Sequence, residues 1–199
     1  MPIKTNRQIE ADKRRQHILE TAVRAFLELG YQRAGVREIA KRAGVSLGNL
    51  YNHFPSKEAV LIEIARLEAL KIAPFVEQLR ADKPAQDRLQ EFLEGYLRYA
   101  AEADNVLLAV EILAEAVRTS AVADAFAPTR KSLISGIFGC LSALNPSDKS
   151  NQVDKARLIL DLVEAHARHL VFSGKGFSER EVATVVQMVG SGIGLSSNA

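Results

Sequence analysis

A single cysteine stands in 199 residues, and that scarcity narrows what the chain can be. One thiol excludes an internal disulfide and any multi-cysteine metal site. It is Cys140, inside the apolar run SLISGIFGCLSAL, where a thiol is expected to fill a core rather than to react. No apolar stretch approaches the roughly 18–20 residues that a membrane span requires. The leading MPIKTNRQIEADKRRQ is polar and has no signal-peptide core, so a cytoplasmic protein away from the membrane is expected. Catalytic motifs are missing as well. There is no glycine-rich phosphate loop, nucleophile elbow, HExxH pair or cysteine–histidine arrangement, and neither an enzyme nor a cofactor is indicated. His166 and His169 lie three residues apart with Glu164 nearby, but a metal would need a further ligand from another helix, with Glu111 or Glu115 as candidates. Polar positions in a helix–helix interface are the favoured reading, and no metal is expected.

What is present begins with charge. The net +2 conceals an asymmetry: up to Glu58 there are eleven Lys/Arg against six Asp/Glu, and beyond it fifteen against eighteen. A basic first quarter on a mildly acidic remainder suits a nucleic-acid-binding head joined to a body that does not bind nucleic acid. Lys4 to Arg15 reads as a basic, mobile lead-in whose Lys4, Arg7, Lys13, Arg14 and Arg15 are placed to track phosphates or reach a minor groove.

The organising stretch is VREIAKRAGVSLGNLYNHFPSKEAV, Val36 to Val60. Val36, Ile39, Ala40 and Ala43 share one helical face, Gly44 supplies the left-handed turn, and Ser46 caps a second helix running to about Phe54. Two short helices about a glycine turn read as a helix-turn-helix, whose second helix enters the DNA major groove. A preceding helix from about Arg14 to Leu29 ends at Gly30, and its Phe26 is expected to anchor a small core with Ile39, Leu50 and Phe54. Tyr51, His53 and Lys57 carry groups suited to phosphate oxygens.

The run Ile39-Ala40, Ala43-Gly44-Val45-Ser46, Gly48, Leu50-Tyr51, His53-Phe54 and Ser56-Lys57-Glu58 resembles the TetR family of transcriptional regulators, in detail from about Lys13 to Ala73. The resemblance implies an all-α fold: a three-helix helix-turn-helix head at 12–72 (helix-turn-helix about 36–55) and a ligand-binding and dimerisation bundle at 73–199. It implies DNA contacts by Arg37, Ser46, Leu47, Gly48, Asn49, Tyr51, Asn52, His53 and Lys57, with the two asparagines able to read adenine. One position departs from the pattern. The residue before the second helix, commonly Thr in the family, is Gly35, which can cap but offers no hydroxyl.

Beyond the head, a helix begun at Ser56 meets Pro74, which is expected to kink or break it. Helices are predicted at 84–103, 105–118, 119–144, 153–173 and 178–193. Asp104 or Asn105, Thr119 and Ser178 are the expected caps, Gly174 and Gly176 punctuate the last connection, and Pro128 predicts a bend. Phe92, Tyr96, Tyr99, Leu113, Phe126, Leu133 and Ile137, with Glu111, Arg118 and His169 as polar members, are the residues that the resemblance assigns to an effector cavity. By residue type alone, such a stripe is more often core. The family also implies a homodimer through helices 153–173 and 178–193, with Ile159, Leu162, Val163, His166, Leu170, Val182, Val185, Val186, Val189 and Ile193 along them. The Gly/Ser-rich tail Gly190 to Ala199 is expected to fray after Gly192. The expected function is a DNA-binding regulator, most often a repressor, released from a pseudo-palindromic operator by a small molecule. The alternative is a ligand-independent DNA- or protein-binding relative.

Overall fold

The computed structural model describes residues 5–147, 151–174 and 178–192, and the described residues are helical without a strand. Lys4, Gly176, Ile193 and the tail expected to fray lie outside them. Nine helices run in order among these residues: α1 Asn6–Leu29, α2 Val36–Arg42, α3 Leu47–His53, α4 Lys57–Arg80, α5 Ala85–Ala100, α6 Ala103–Ala116, α7 Ser120–Leu144, α8 Gln152–Phe172 and α9 Glu179–Gly192.

The first helix corrects the sequence reading. Residues 6–15, expected to be a mobile lead-in, are its opening turns. Thr5 is the reason: its hydroxyl accepts from the Gln8 amide at 3.3 Å, while Gln8 Oε1 accepts from the Thr5 amide at 2.8 Å. This reciprocal capping box satisfies two donors that a helix start leaves open. A Lys13–Glu10 ion pair at 3.0 Å adds an i,i+3 contact on an exposed face.

Neither proline breaks its helix. The helix α4 runs through Pro74 to Arg80, and α7 runs through Pro128 to Leu144. Pro74 and Leu70 are exposed, as are Pro128 and Asp124, so the carbonyl left without its helical donor in each case faces solvent and can bond to water. The caps at Asp104 and Asn105 are displaced too. Both residues lie inside α6, and the Asn105 amide donates to the Tyr99 carbonyl at 2.7 Å. Ser178 does cap, accepting from the Glu181 amide at 3.3 Å.

By its contacts the chain divides into two compact units. The first comprises Met1–Glu68 and Leu107–Phe126; the second comprises Ala69–Val106 and Ala127–Ala199. Leu107–Phe126, expected within the second domain, thus groups with the first.

The core of the first unit gathers Ile18, Ala22 and Phe26 from α1, Ile39 and Ala40 from α2, Leu50 and Phe54 around α3, and Val60, Leu61 and Ile64 from α4. Leu108, Ile112 and Val122 join it from α6 and α7. The Tyr31 ring meets Phe26 edge-on at 5.1 Å. At the end of α2 the chain turns on Gly44 at φ +64°, a backbone state that costs other residues strain, and the Val45 amide donates to the Ala40 carbonyl at 3.0 Å.

In the second unit α5 packs against α8 and α9. Its core holds Leu79, Leu89, Phe92, Tyr96, Leu133, Ile137, Cys140, Leu160 and Val163. The lower half of α4 approaches α7 so closely that a Cβ on Gly136 would stand 2.8 Å from Leu79 Cβ. One turn on, the buried Cys140 thiol donates to the Leu79 carbonyl at 3.6 Å, and burial raises its pKa. Both observations place it as a packing residue.

Candidate nucleic-acid interface

The helix α3 is seven residues long and shows two different sides. Leu50 and the following Phe54 are buried in the first core, which fixes the rotation of the helix. That rotation leaves Ser46, Gly48, Tyr51 and Asn52 exposed, with Leu47, Asn49 and His53 half-buried. Ser46 caps the helix by accepting from the Asn49 amide at 3.1 Å. On α2, Arg37 is exposed. Gly35 holds an extended N-cap conformation without a side-chain bond, and a Cβ there would meet nothing within 4 Å.

The two expected readers of adenine are therefore placed differently. Asn52 is open to solvent. Asn49 has its Oδ1 buried without a hydrogen-bond partner, and it lines a groove of about 540 Å³ between α1 and the α2–α3 turn.

Lys57 is held by the protein itself. Its ammonium donates to the Tyr31 carbonyl at 2.9 Å and stands 4.1 Å from the centre of the Tyr31 ring. Arg15, grouped with the basic lead-in, instead pairs with Glu63 at 2.8 Å and covers the Phe54 ring at 4.6 Å. The Arg15 hydrogen bond holds the Glu63 carboxyl below the usual carboxylate range.

Residues expected to line one effector cavity fall into both units. Phe92, Tyr96, Tyr99, Leu133, Ile137 and His169 belong to the second unit, and Glu111, Leu113, Arg118 and Phe126 to the first. In the second, Phe92 and Tyr96 stack at 5.2 Å, and Phe75 meets both Tyr96 and Tyr99 at 5.4 Å. Leu133 and Ile137 are buried beside them, whereas His169 is exposed.

In the first unit Glu111 is already engaged: its carboxylate accepts from the Tyr31 amide at 2.9 Å. Buried Glu115 accepts from the Gln32 amide nitrogen at 2.9 Å and the Thr119 hydroxyl at 2.7 Å. Burial, then the Glu115 and Glu58 charges, push the Tyr31 phenol well above its ordinary pKa. Arg118 donates to the Ala114 carbonyl at 2.9 Å, Leu113 is exposed, and Phe126 packs on the core. Glu111, expected to orient a ligand, is in this chain a support for the connection between α1 and α2.

The residue that the sequence reading missed in the second unit is Arg130. It pairs with Asp161 and with Glu164 at 2.6 Å, and Glu164 also accepts from the Tyr96 hydroxyl at 3.3 Å. An arginine inside the largely apolar α7 was the signal available. His166 and His169 have ring centres 6.5 Å apart, and among the described residues no three His, Cys, Asp or Glu side chains are placed to hold a metal.

A short helix exposing polar side chains beyond a glycine turn, rotated by its own buried leucine, defines a helix-turn-helix. Residues 18–64 match the model of the tetR family of bacterial regulatory proteins. Over that segment the chain is similar to this family of regulators. It is 40% identical over 78 residues to the transcriptional repressor AcnR of Corynebacterium diphtheriae, a stretch covering 39% of this chain and 40% of AcnR. The chain spans about half the length of the relatives it matches.

Solved structures extend the likeness to nearly the whole fold. A TetR-family regulator from Rhodococcus sp. superimposes with a TM-score of 0.76 over 92% of this chain and 100% of its own, at 24% identity. The regulator FadR from Bacillus subtilis, in complex with stearoyl-CoA, does so with 0.75 over 89% and 98%, at 20% identity. Among the described residues no helix is long and apolar enough to cross a membrane.

Proposed function

We propose that the chain is a sequence-specific, homodimeric transcriptional repressor acting in the cytoplasm, released from a pseudo-palindromic operator by a small molecule. The observation that carries this reading is the exposed face of α3, Gly48, Tyr51 and Asn52, with Arg37 of α2 exposed as well. These groups suit the major groove: Asn52 for adenine, Arg37 for guanine or phosphate, Tyr51 for phosphate. One such helix makes few base contacts, and a two-fold dimer doubles them at half-sites about one helical turn apart.

A stripe on α8 supports the dimer. Leu158, Leu162 and Phe172 are 59%, 61% and 67% exposed, with Ala165 and His169 on the same face. Met188 of α9 is 69% exposed. Ile159, Val163, Leu170, Val182 and Val189, which the family pattern put at the interface, are buried within this chain. The pairing surface is thus the Leu158–Leu162–Phe172 side of α8. Effector release rests on the FadR complex, where a protein of this fold holds an acyl-CoA. The aromatic group around Tyr96, beside Arg130 and Glu164, is the part of this chain to which we assign an effector. For release, the effector must bind the conformation with low operator affinity better than the other.

The test is selection of bound sequences from a random duplex pool, followed by fluorescence anisotropy against a scrambled duplex at physiological salt. A selected duplex bound about 10³-fold or more tightly than the scrambled one supports a sequence reader. Tyr51→Ala should abolish that preference. Equal weak binding to both would leave an architectural or protein-binding role instead.

A further inference from the structure

We infer that His169 makes the pairing of two copies of this chain sensitive to protons: the neutral imidazole lies in the seam between two α8 helices, and its protonation drives the copies apart. The inference rests on the homodimer reading above and gives that surface a regulatory input.

Spacing defines the seam. Leu158, Leu162, Ala165, His169 and Phe172 all stand exposed on α8, four and three residues apart in alternation. That alternation is the a/d repeat by which one helix lies along another. The stripe is also nearly symmetric about its smallest member. Leu158 and Phe172 lie seven residues to either side of Ala165, and Leu162 and His169 lie three and four residues from it. A two-fold interface needs this self-complementarity, because each of its contacts occurs twice. On one flank of the stripe, Asp161 and Arg168 carry opposite charges. A copy running antiparallel about Ala165 sets each Arg168 beside the other's Asp161. Spacing, symmetry and charge together select a second copy of this chain as the occupant.

His169 is the seam member that can gain a charge, and its surroundings do not favour one. Around it on α8 stand Ala165, His166, Arg168 and Phe172. His166, with its ring centre 6.5 Å away, and Arg168 both repel a further cation when they carry their protons. The two carboxylates that most closely precede it on α8, Asp161 and Glu164, are both held by Arg130 of α7. The helix α5, which packs against α8, sends the Tyr96 hydroxyl to Glu164 and commits Arg98 to Glu179 of α9. Of the other charged groups of α9, Arg180 is exposed and Glu181 accepts from the Ser178 hydroxyl at 2.9 Å.

Histidine gains its charge at about pH 6.5 in water. Enclosing the charged ring between apolar helices costs more than enclosing the neutral one. Association therefore favours the neutral ring, and the separated chains bind more protons than the dimer. Pairing is strongest above that pH range and weakens as pH falls through it.

The experiment is sedimentation of the full chain without DNA at about pH 8 and about pH 5.5, on either side of that range. Wild type, His169→Leu and His166→Gln are compared, and circular dichroism at both pH values checks that each is folded. The other two histidines, His17 and His53, belong to the first unit, and leaving DNA out removes any phosphate contact of theirs from the readout. The wild-type dimer dissociation constant should rise roughly 10- to 100-fold in acid, since each copy contributes up to about tenfold per pKa unit. His169→Leu should pair at least as tightly and lose most of that rise, whereas His166→Gln should keep it. A His169→Leu protein with the wild-type acid response, or a rise abolished by His166→Gln alone, overturns the inference. A wild type equally dimeric at both pH values overturns it and leaves the homodimer standing. A wild type that is monomeric at both overturns the homodimer reading as well.

Discussion

Lys57 shows how a side chain of the right chemistry can be placed for two purposes. Its ammonium donates to the Tyr31 carbonyl and lies over the Tyr31 ring, so removing it opens a contact between α4 and the end of α1 as well as any phosphate contact. Lys57→Ala is expected to destabilise the first unit by about 1–2 kcal/mol, combining a charge-assisted hydrogen bond with a cation–π contact. Thermal melts without DNA would show it; an unchanged midpoint would make Lys57 a DNA ligand alone. Gly35 is the converse case. Its backbone is extended, its Cβ direction is empty, and its helix lacks a capping bond. Gly35→Thr should add a few tenths of a kcal/mol of stability. If the new hydroxyl also reaches a phosphate, duplex affinity should rise about fivefold. Glu63 contributes through pH. Its pKa is lowered in the folded state, first by the Arg15 hydrogen bond and then by Arg66, so it stabilises the fold above the ordinary carboxylate pKa. That contribution is lost as pH falls through the lowered folded value. Wild type should therefore be more stable than Glu63→Gln at neutral pH, with the gap closing in acid, in paired denaturant titrations.

At the scale of helices, much was written in the periodicity. The apolar faces of α1, α2 and α3 and the stops at Gly30 and Gly44 follow from residue type and spacing. The start of α1 did not, because Thr5 and Gln8 declare a capping box only when a helix is already allowed to begin in a polar, basic stretch. That α4 continues through Pro74 has a related reason: the cost of a proline depends on the face it occupies, and Pro74, like Pro128, occupies a wet one. The site was legible as residue types and not as orientations. Asn49 and Asn52 are the same amino acid in the same helix, and only their places around it separate the sealed amide oxygen from the open side chain. Interfaces between helices carry their own prediction. Gly136→Ala would drive a methyl into Leu79 at 2.8 Å, where backbone and core leave little room. A loss of roughly 1–3 kcal/mol is expected. A variant as stable as wild type would mean that α4 and α7 can separate without cost.

For the whole molecule, the unpartnered apolar side of α8 makes the sharpest claim. Leu162→Glu, 61% exposed in the single chain, should leave the monomer folded and shift sedimentation from dimer to monomer. Operator affinity should fall with it, because each head would then bind one half-site alone. A variant that still sediments as a dimer would place the pairing surface elsewhere.

The allegiance of Leu107–Phe126 bears on how the protein can be taken apart. The tetR-type match ends at residue 64, which invites treating the DNA-binding part as a cassette to be cut out or exchanged. Yet Leu108, Ile112 and Val122 complete its core, and Glu111 and Glu115 hold the α1–α2 connection from a helix more than forty residues downstream. A chimaera built by joining residues 1–68 to another regulator's sensing half would arrive with an open flank and an uncapped Tyr31 amide. Its transplantable unit is discontinuous in sequence, and a working graft has to carry the 107–126 segment along with it.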